Sequence, residues 1–546
     1  MRVREAFHLW LRQRGVERLF GNPGSTEVPM LVGLPARLRF TLGLQEAAVV
    51  AISDGYAQAT GRPALVELHA APGLGNAVGA LFTARKNRTP LVVAVGQQDS
   101  RHLHLEPLLA ADMAELARGA VKGVLEPARP EDVAPAFERA WRLAGSPPAG
   151  PVLVVVPADF WDGPAEEGAA AAGEVEAPGP PPERALAALA ARLREAGRPA
   201  LVAGAGLERA AAAGLAVELA ERLRAEVWSD PLGPRQAFPR GHPLYRGDLA
   251  PAAPRIAQAL AGHDVVVVLG APAFLLYPYQ PGPLLPPGSE LWLVTDDPEE
   301  ASRAPAERVL LGGLHASLEA LLARLSGGDG GGRPSEGGGA ALAERARQRA
   351  EAARSRARMG VPFVLEAVRS WLEAEAGGGA GWLVVDEAVS ASPLVRRWLA
   401  LEPGGYWTAA SGGLGWGVGA AVGAALARPG RRVVAVTGEG AFLYAPQALW
   451  TAAREGVALP VVVLDNGGYA ILKSYAAAAY PGREAETPGL ELGGLDPVRL
   501  AEGLGGVGVR VEAPGELAPA LAEAARAEGP FVVHVAVDRA VPRLFD

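Results

Sequence analysis

With 546 residues, 49% apolar and 21% charged side chains, the chain is longer than one hydrophobic core can organise and is expected to form roughly two to four well-packed domains. A formal net charge of −8, with no Lys/Arg cluster to offset it, argues against a nucleic-acid partner. There is no cysteine, which excludes disulfides, thiolate metal sites and cysteine nucleophiles and leaves carboxylates, histidines, hydroxyls or a cofactor for any chemistry.

The opening stretch MRVREAFHLWLRQRG sets charges among apolar residues as an amphipathic helix does and lacks a signal-peptide apolar region. The mature protein is therefore expected to begin near Met1 and to be cytoplasmic. Through residue 165, apolar runs such as ALVELHA and PLVVAVG alternate with helical stretches such as EAAVVAISDGYAQATG, the alternation of a parallel α/β sheet. Residues 166–183, rich in Ala, Gly, Pro and Glu, read as a linker. From 184 to 325 the pattern repeats with PALVAGAG, HDVVVVLGAP and ELWLVTDDP as strands. The turn VAGAGLERA there resembles part of a dinucleotide fingerprint without its third glycine, so a flavin or ADP ligand is the lesser reading. The stretch SGGDGGGRPSEGGGA, residues 326–340, reads as a second, flexible connection. A third block, 345–546, carries the strands GWLVVDE, RRVVAVTG, LPVVVLDN and GPFVVHVAV. Residues 406–427, YWTAASGGLGWGVGAAVGAALA, are uncharged over a bilayer-spanning length, but their glycines and the strand that follows favour a buried loop and helix. The expected fold class is α/β, with three doubly wound parallel-sheet domains.

In the third block one strand ends at a Gly-acid-Gly corner, Gly438, Glu439 and Gly440, and another at Asp465 and Asn466, followed by Gly467, Gly468 and Tyr469. In a parallel sheet both corners fall on the carboxyl edge, where open α/β sheets place their ligands. A carboxylate oxygen and an amide oxygen meeting there suit a hard cation, Mg2+ or Ca2+, whose shell diphosphate oxygens and water complete. The glycines would let the backbone approach a diphosphate closely. Taken alone, the pattern reads more readily as a structural turn.

The spacing resembles the GDG and NN signature of thiamine diphosphate-dependent enzymes. FGNPGSTE (20–27), LQEAAVVAISDGYAQATGRPA (44–64), LHAAPGLGNAVGAL (68–81), AASGGLGWGVGAAVG, ALWTAA and NGGYAILKSY extend the resemblance over nearly the whole chain, most closely to the benzoylformate decarboxylase branch. The resemblance implies a pyrimidine-binding first domain (1–165), a central Rossmann-like domain (184–325) and a diphosphate- and metal-binding third domain (345–546). It assigns Glu46 to nitrogen N1′ of the cofactor's aminopyrimidine, with Asn22 beside it, Ser25 to the substrate carboxylate, and His69 to proton relay or orientation. Gly412 and Leu414 would flank the cofactor, Leu414 forcing its rings into a V. Gly438 and Gly440 would lie beside the diphosphate, with Tyr469 close by. Glu439, Asn466 and the backbone carbonyl of Gly468 would hold the metal, and Leu109, Leu472 and Tyr475 would line the substrate pocket.

Three positions depart from the family pattern. Glu439 replaces an Asp, Asp465 replaces the first Asn of NN and adds a negative charge near the metal, and Tyr277 stands where the branch carries a second histidine. A phenol is a poorer proton shuttle near neutral pH than an imidazole, so His102 or His104, in DSRHLHLEP, is expected to supply the proton that replaces CO2. The implied activity is non-oxidative decarboxylation of a 2-oxo acid with thiamine diphosphate. The alternatives are an acetolactate synthase-like carboligase and a non-catalytic homologue with weakened cofactor binding. The implied partners are a small 2-oxo acid and further copies of the chain, as a homodimer or homotetramer, with no nucleic acid and no membrane.

Overall fold

The computed structural model describes residues 1–545 except 167–172, 174, 177, 326–337 and 376–380. Three six-stranded sheets organise the chain, and every strand pair within them is parallel. The first contains β1 (Arg18–Asn22), β2 (Arg39–Leu42), β3 (Ala64–Leu68), β4 (Leu91–Gln97), β5 (Gly123–Leu125) and β6 (Val152–Pro157), in the order β2-β1-β3-β4-β6-β5. The central sheet runs β12-β11-β10-β7-β8-β9, from β7 (Pro199–Ala203), β8 (Glu226–Ser229), β9 (Tyr245–Asp248), β10 (Val265–Leu269), β11 (Glu290–Thr295) and β12 (Arg308–Leu311). The third is β14-β13-β15-β16-β18-β17, from β13 (Trp382–Glu387), β14 (Tyr406–Thr408), β15 (Arg432–Gly438), β16 (Leu459–Asp465), β17 (Val507–Val511) and β18 (Pro530–Ala536). Read from their own first strands, the first and third sheets have the same order, and the central sheet a different one.

The interior strands are β-branched and buried along their length, as in the VVVVL run of β10, because helices cover both faces of a parallel sheet. Strand order reverses between β1 and β3, between β7 and β10, and between β13 and β15. At each reversal a crevice opens beyond the carboxyl ends of the strands.

The uncharged stretch 406–427 becomes β14, a loop and the helix Gly417–Ala427, which packs against the helix Glu46–Thr60 of the first domain. A Cβ on Gly423 would stand 1.8 Å from the Ile52 carbonyl oxygen, and one on Gly55 2.0 Å from that of Ala420. The glycines thus bring two helix backbones together, and the helix is apolar all round because protein surrounds it. Among the described residues no helix is long and apolar enough to cross a membrane.

Both connections expected from composition fall partly outside the described residues. The second ends earlier than expected: the helix Gly338–Ser355 starts inside the 326–340 stretch and ahead of residue 345. Its Ala, Glu and Arg content favours helix, and Arg345–Glu366 and Arg397–Glu344 ion pairs, the latter at 2.5 Å, tie it to the third domain. The turn after β7 uses its glycines for packing: a Cβ on Gly206 would lie 2.8 Å from the Gly270 carbonyl oxygen. A cavity of about 910 Å3 lies beyond it. There Arg88 pairs with Asp297 and Glu300, and Arg235 pairs with Glu208 while stacking on Trp407.

Candidate active site

The first cluster sits where β1 and β3 diverge. Glu46 opens the helix Glu46–Thr60, whose N-cap Gln45 accepts from the Ala48 amide at 3.0 Å. Only 7% exposed, Glu46 accepts from Asn22 Nδ2 at 3.2 Å through Oε1 and from Asn76 Nδ2 at 3.1 Å through Oε2. Two amides from different elements therefore fix both carboxyl oxygens. His69 caps the helix Ala70–Lys86, and its Nδ1 lies 2.9 Å from Oε2 of Glu27. A carboxylate only accepts, so Nδ1 carries the hydrogen and Nε2 is left for other partners.

Glu27 is the better buried member of that pair. At 2% exposure, its Oε1 accepts from the Thr26 hydroxyl (2.7 Å) and the Ala70 amide (3.3 Å), and its Oε2 from the Gly24 amide (3.0 Å). Gly24 is required, since a Cβ there would stand 2.0 Å from His69 Nδ1. Gly73 lies between these two side chains: a Cβ on it would be 3.3 Å from His69 Cβ and 3.5 Å from Glu46 Oε1. Ser25 is exposed on the same turn. Sequence reasoning passed over Glu27 and Asn76, although FGNPGSTE and GLGNAVGAL contain them; the signal available was an acid and an amide beside residues already singled out.

The second cluster lies on the edge of the third sheet. Gly438 ends β15, and Glu439, 3% exposed, follows it. Glu439 Oε1 and Asn466 Oδ1 both accept from the Gly468 amide, at 2.9 and 3.2 Å. The carboxylate and amide corners therefore meet on one N–H. Burial raises the Glu439 carboxyl above its ordinary range, helped by the nearby Asp465 charge, while backbone N–H groups oppose the rise.

Asp465 faces elsewhere. Its Oδ2 lies 2.7 Å from Nε2 of the fully buried His534 and its Oδ1 accepts from the Gly467 amide at 2.8 Å. The His534 hydrogen bond holds the Asp465 carboxyl below the usual range. The extra charge expected beside the metal is thus tied to the sheet. Gly440 packs under Tyr469, whose Cε1 would be 2.7 Å from a Cβ there, whereas a Cβ on Gly438 would meet nothing within 4 Å.

A cavity of about 250 Å3 opens at this edge, lined by Gly438, Asn466, Ser390, Ala391 and Arg358 among others. The helix Ser392–Leu399 begins at its wall; Pro393 has no N–H, and the Leu394 and Val395 amides donate to the Ala391 carbonyl at 2.8 and 2.9 Å, so the helix dipole rather than a fan of amides would face a phosphate. Two oxygens of the kinds a hard cation takes, of the Glu439 carboxylate and the Asn466 amide, meet at the Gly468 amide, while the Gly468 carbonyl accepts from the Ala470 amide at 3.0 Å. No group of three or more His, Cys, Asp or Glu that could hold a metal occurs among the described residues, so a cation here would also draw on oxygens of its ligand. The donor set fits a metal-bridged diphosphate.

The loop with Gly412, in the left-handed region at φ 71°, and the half-buried Leu414 is anchored to the first domain. Thr83 and Ser411 hydroxyls lie 2.9 Å apart, and the Ala410 amide donates to Asn87 at 2.8 Å. On the substrate side, Leu472 and Tyr475 are exposed on the helix Ala470–Ala479, Tyr277 is exposed on its loop, and Leu109 is half-buried at φ 70°. Phe545 joins two of these, its ring 5.5 Å from Tyr475 and 6.3 Å from Tyr277. It sits in a C-terminal segment without regular structure, which gave no signal in the sequence. His102 and His104 lie on the 3-10 turn Ser100–Leu105, and no hydrogen bond joins them to His69 or Glu46 among the described residues.

Residues 1–122, 186–321 and 391–535 match the N-terminal TPP binding, central and C-terminal TPP binding domains of thiamine pyrophosphate enzymes. The chain is 40% identical over 537 residues to a benzoylformate decarboxylase of Pseudomonas aeruginosa, covering 98% of each. It is 26% identical to an acetolactate synthase large subunit of Haemophilus influenzae, over 94% of this chain and 90% of that one. Among solved structures, a thiamine diphosphate-dependent 4-hydroxybenzoylformate decarboxylase of Rhodococcus jostii superposes with a TM-score of 0.90 at 35% identity, covering 99% of this chain and 100% of that one. A benzoylformate decarboxylase of Polynucleobacter necessarius gives 0.89 at 34% identity, with the same coverage.

Proposed function

The chain belongs to the thiamine pyrophosphate enzyme family, as a thiamine diphosphate-dependent 2-oxo acid decarboxylase, and from that premise we propose that its substrate carries an aromatic or bulky apolar side chain, as benzoylformate does. When bound, thiamine diphosphate supplies a nucleophilic carbon and an electron sink for the bond to the departing CO2.

The chain supplies positioning and proton control. Glu46, fixed by Asn22 and Asn76, holds a proton toward the aminopyrimidine. His69, oriented by Glu27, presents Nε2 to the reacting groups. The Ser25 hydroxyl receives the substrate carboxylate. Leu109, Leu472, Tyr475 and Phe545 form the apolar wall, with Tyr277 at its rim. Glu439, Asn466 and the Gly468 carbonyl hold Mg2+ or Ca2+, and Gly438 with the start of the Ser392–Leu399 helix receives the diphosphate. His102 or His104 supplies the proton that replaces CO2, and glutamine at both positions should abolish turnover if so.

The cofactor would bridge the first domain of one subunit and the third of another, making a homodimer the smallest active unit and a homotetramer a natural assembly. Exposed Leu105 and Leu108, 70% and 84% accessible in the single chain, support association.

The observation that carries this reading is the meeting of Glu439 and Asn466 on the Gly468 amide. Thermal shift with thiamine diphosphate and Mg2+ tests the cofactor site, and product analysis tests the chemistry. Stabilisation, with benzaldehyde and CO2 from benzoylformate, is expected. Acetolactate from pyruvate as the main product would favour a carboligase, and no stabilisation at millimolar cofactor would favour a non-catalytic homologue.

A further inference from the structure

We propose that Glu67 is a positioning residue that acts on Glu46 through its own charge state: its neutral form supports turnover and its ionised form shuts the site. This inference rests on the role assigned to Glu46 above.

Glu67 lies within β3, in register with Gly21 of β1 and Ala94 of β4. It is fully buried, and neither carboxyl oxygen has a hydrogen-bond partner among the described residues. Its side chain folds over Gly21, where a Cβ would come within 2.1 Å of Glu67 Oε1. The next residue of β1 is Asn22, the donor to Glu46. Two residues on, just past the end of β3, stands His69, the partner of Glu27. The charged groups facing Glu67 are Glu27 and Glu46, both acidic, and its neighbours in register, Gly21 and Ala94, carry none.

Of these three carboxyls, Glu27 has His69, a hydroxyl and two backbone amides, and Glu46 has two side-chain amides. Glu67 has no hydrogen-bond partner among the described residues, and the charges facing it are like its own. A buried carboxylate without partners is far costlier than the neutral acid. Burial, then the Glu27 and Glu46 charges, push Glu67 up to about 9, so it keeps its proton through the neutral range.

The consequence falls on Glu46, whose work requires taking up and releasing a proton. While Glu67 is neutral, Glu27 is the only charged acid at its back. Once Glu67 ionises, two negative charges stand behind Glu46 and favour its protonated form, so it no longer releases its proton in each cycle.

The test compares wild type with Glu67→Gln, which is neutral at every pH and nearly the same shape. In the cofactor-free protein, the melting temperature of wild type should fall relative to E67Q as pH rises from 5 to 9.5. In the holoenzyme, the alkaline limb of kcat should move up by at least one pH unit in E67Q. Superimposable melting and kcat profiles would overturn the proposal. E67M, apolar and of similar length, takes the place of E67Q if the glutamine variant does not accumulate. If neither variant folds, the carboxyl is needed for stability itself and the proposal is again overturned. Glu46→Gln, measured alongside, separates the two readings: wild-type turnover in E46Q would remove the role of Glu46, while the cofactor-free melting curves still report the charge state of Glu67.

Discussion

At the scale of single residues, the two side chains proposed to act at the first cluster, Glu46 and His69, are each fixed by partners. His69 would swing about its Cβ without Glu27, which holds Nδ1 and so decides which nitrogen faces the reacting groups. Replacing Glu27 with Gln keeps the shape and removes the charge. We expect kcat to fall on the order of 10- to 100-fold with little change in KM, as for other partners that orient a catalytic group; steady-state kinetics over a pH series checks this. Phe545 should behave oppositely. Its ring bridges Tyr475 and Tyr277, so Phe545→Ala should raise KM for an aromatic 2-oxo acid roughly 10-fold and lower kcat far less, because apolar wall contacts contribute mainly to binding. The residues readable from sequence were those at strand ends with glycine neighbours, such as Glu439 and Asn466. Glu27, Asn76 and Phe545 were not, because each meets its partner across a long sequence distance, nor was Glu67, whose burial without a hydrogen-bond partner shows only in the fold. Asp465 marks the same limit: its charge could be read, but not the buried His534 on β18 that takes it up.

At the scale of elements, the apolar runs identified β3, β4, β7, β10, β11, β13, β15, β16 and β18 and the helix that opens at Glu46, but not the remaining strands, which are mostly shorter and toward the sheet edges, nor how the helices meet. The glycine-rich stretch before β15 could be read as buried, since a sheet strand follows it, yet the reason for its glycines is the helix Glu46–Thr60 of another domain. Gly423 and Gly55 sit where backbone meets backbone. Gly423→Val would push a side chain into the Ile52 carbonyl and force the helices apart. A loss of about 1–3 kcal/mol is expected from overpacking of this kind, seen as a lower midpoint in urea denaturation. Because Glu46 begins one helix and Leu414 precedes the other, and each chain would lend its first domain to one cofactor site and its third to another, the shift should disturb both sites, and weaker affinity for thiamine diphosphate should accompany it in a fluorescence titration. An undisturbed midpoint would mean that the two domains are held together mainly by other contacts, such as the 2.8 Å hydrogen bond from Trp416 to Asp54.

At the scale of the whole molecule, the first and third domains repeat one strand order and place their clusters at the same crevice, beyond the divergence of β1 and β3 and of β13 and β15. Parallel sheets at these crevices bury the strand ends, and carboxyls placed there must either find partners or keep their protons. Burial pushes Glu387, at the end of β13, up to about 8 and Glu67, near the end of β3, to about 9, and it does the same to Asp230, just past β8 of the central sheet, raising it to about 7. In the unfolded chain all three would ionise near their ordinary values of about 4. Between about pH 4.5 and 9 the unfolded state therefore binds fewer protons than the folded one, and stability falls as pH rises through that window. Groups shifted the other way, such as Glu290, lowered by its hydrogen bond from Arg192, lose their contribution only on the acid side, as pH drops through the carboxylate range. The cofactor-free protein should therefore be most stable near pH 5 to 6, with a melting temperature lower on the order of several degrees by pH 9. Differential scanning calorimetry across that range checks it. A melting temperature that rose toward pH 9 would mean that these carboxyls are already ionised at neutral pH, with cations or water reaching the strand ends.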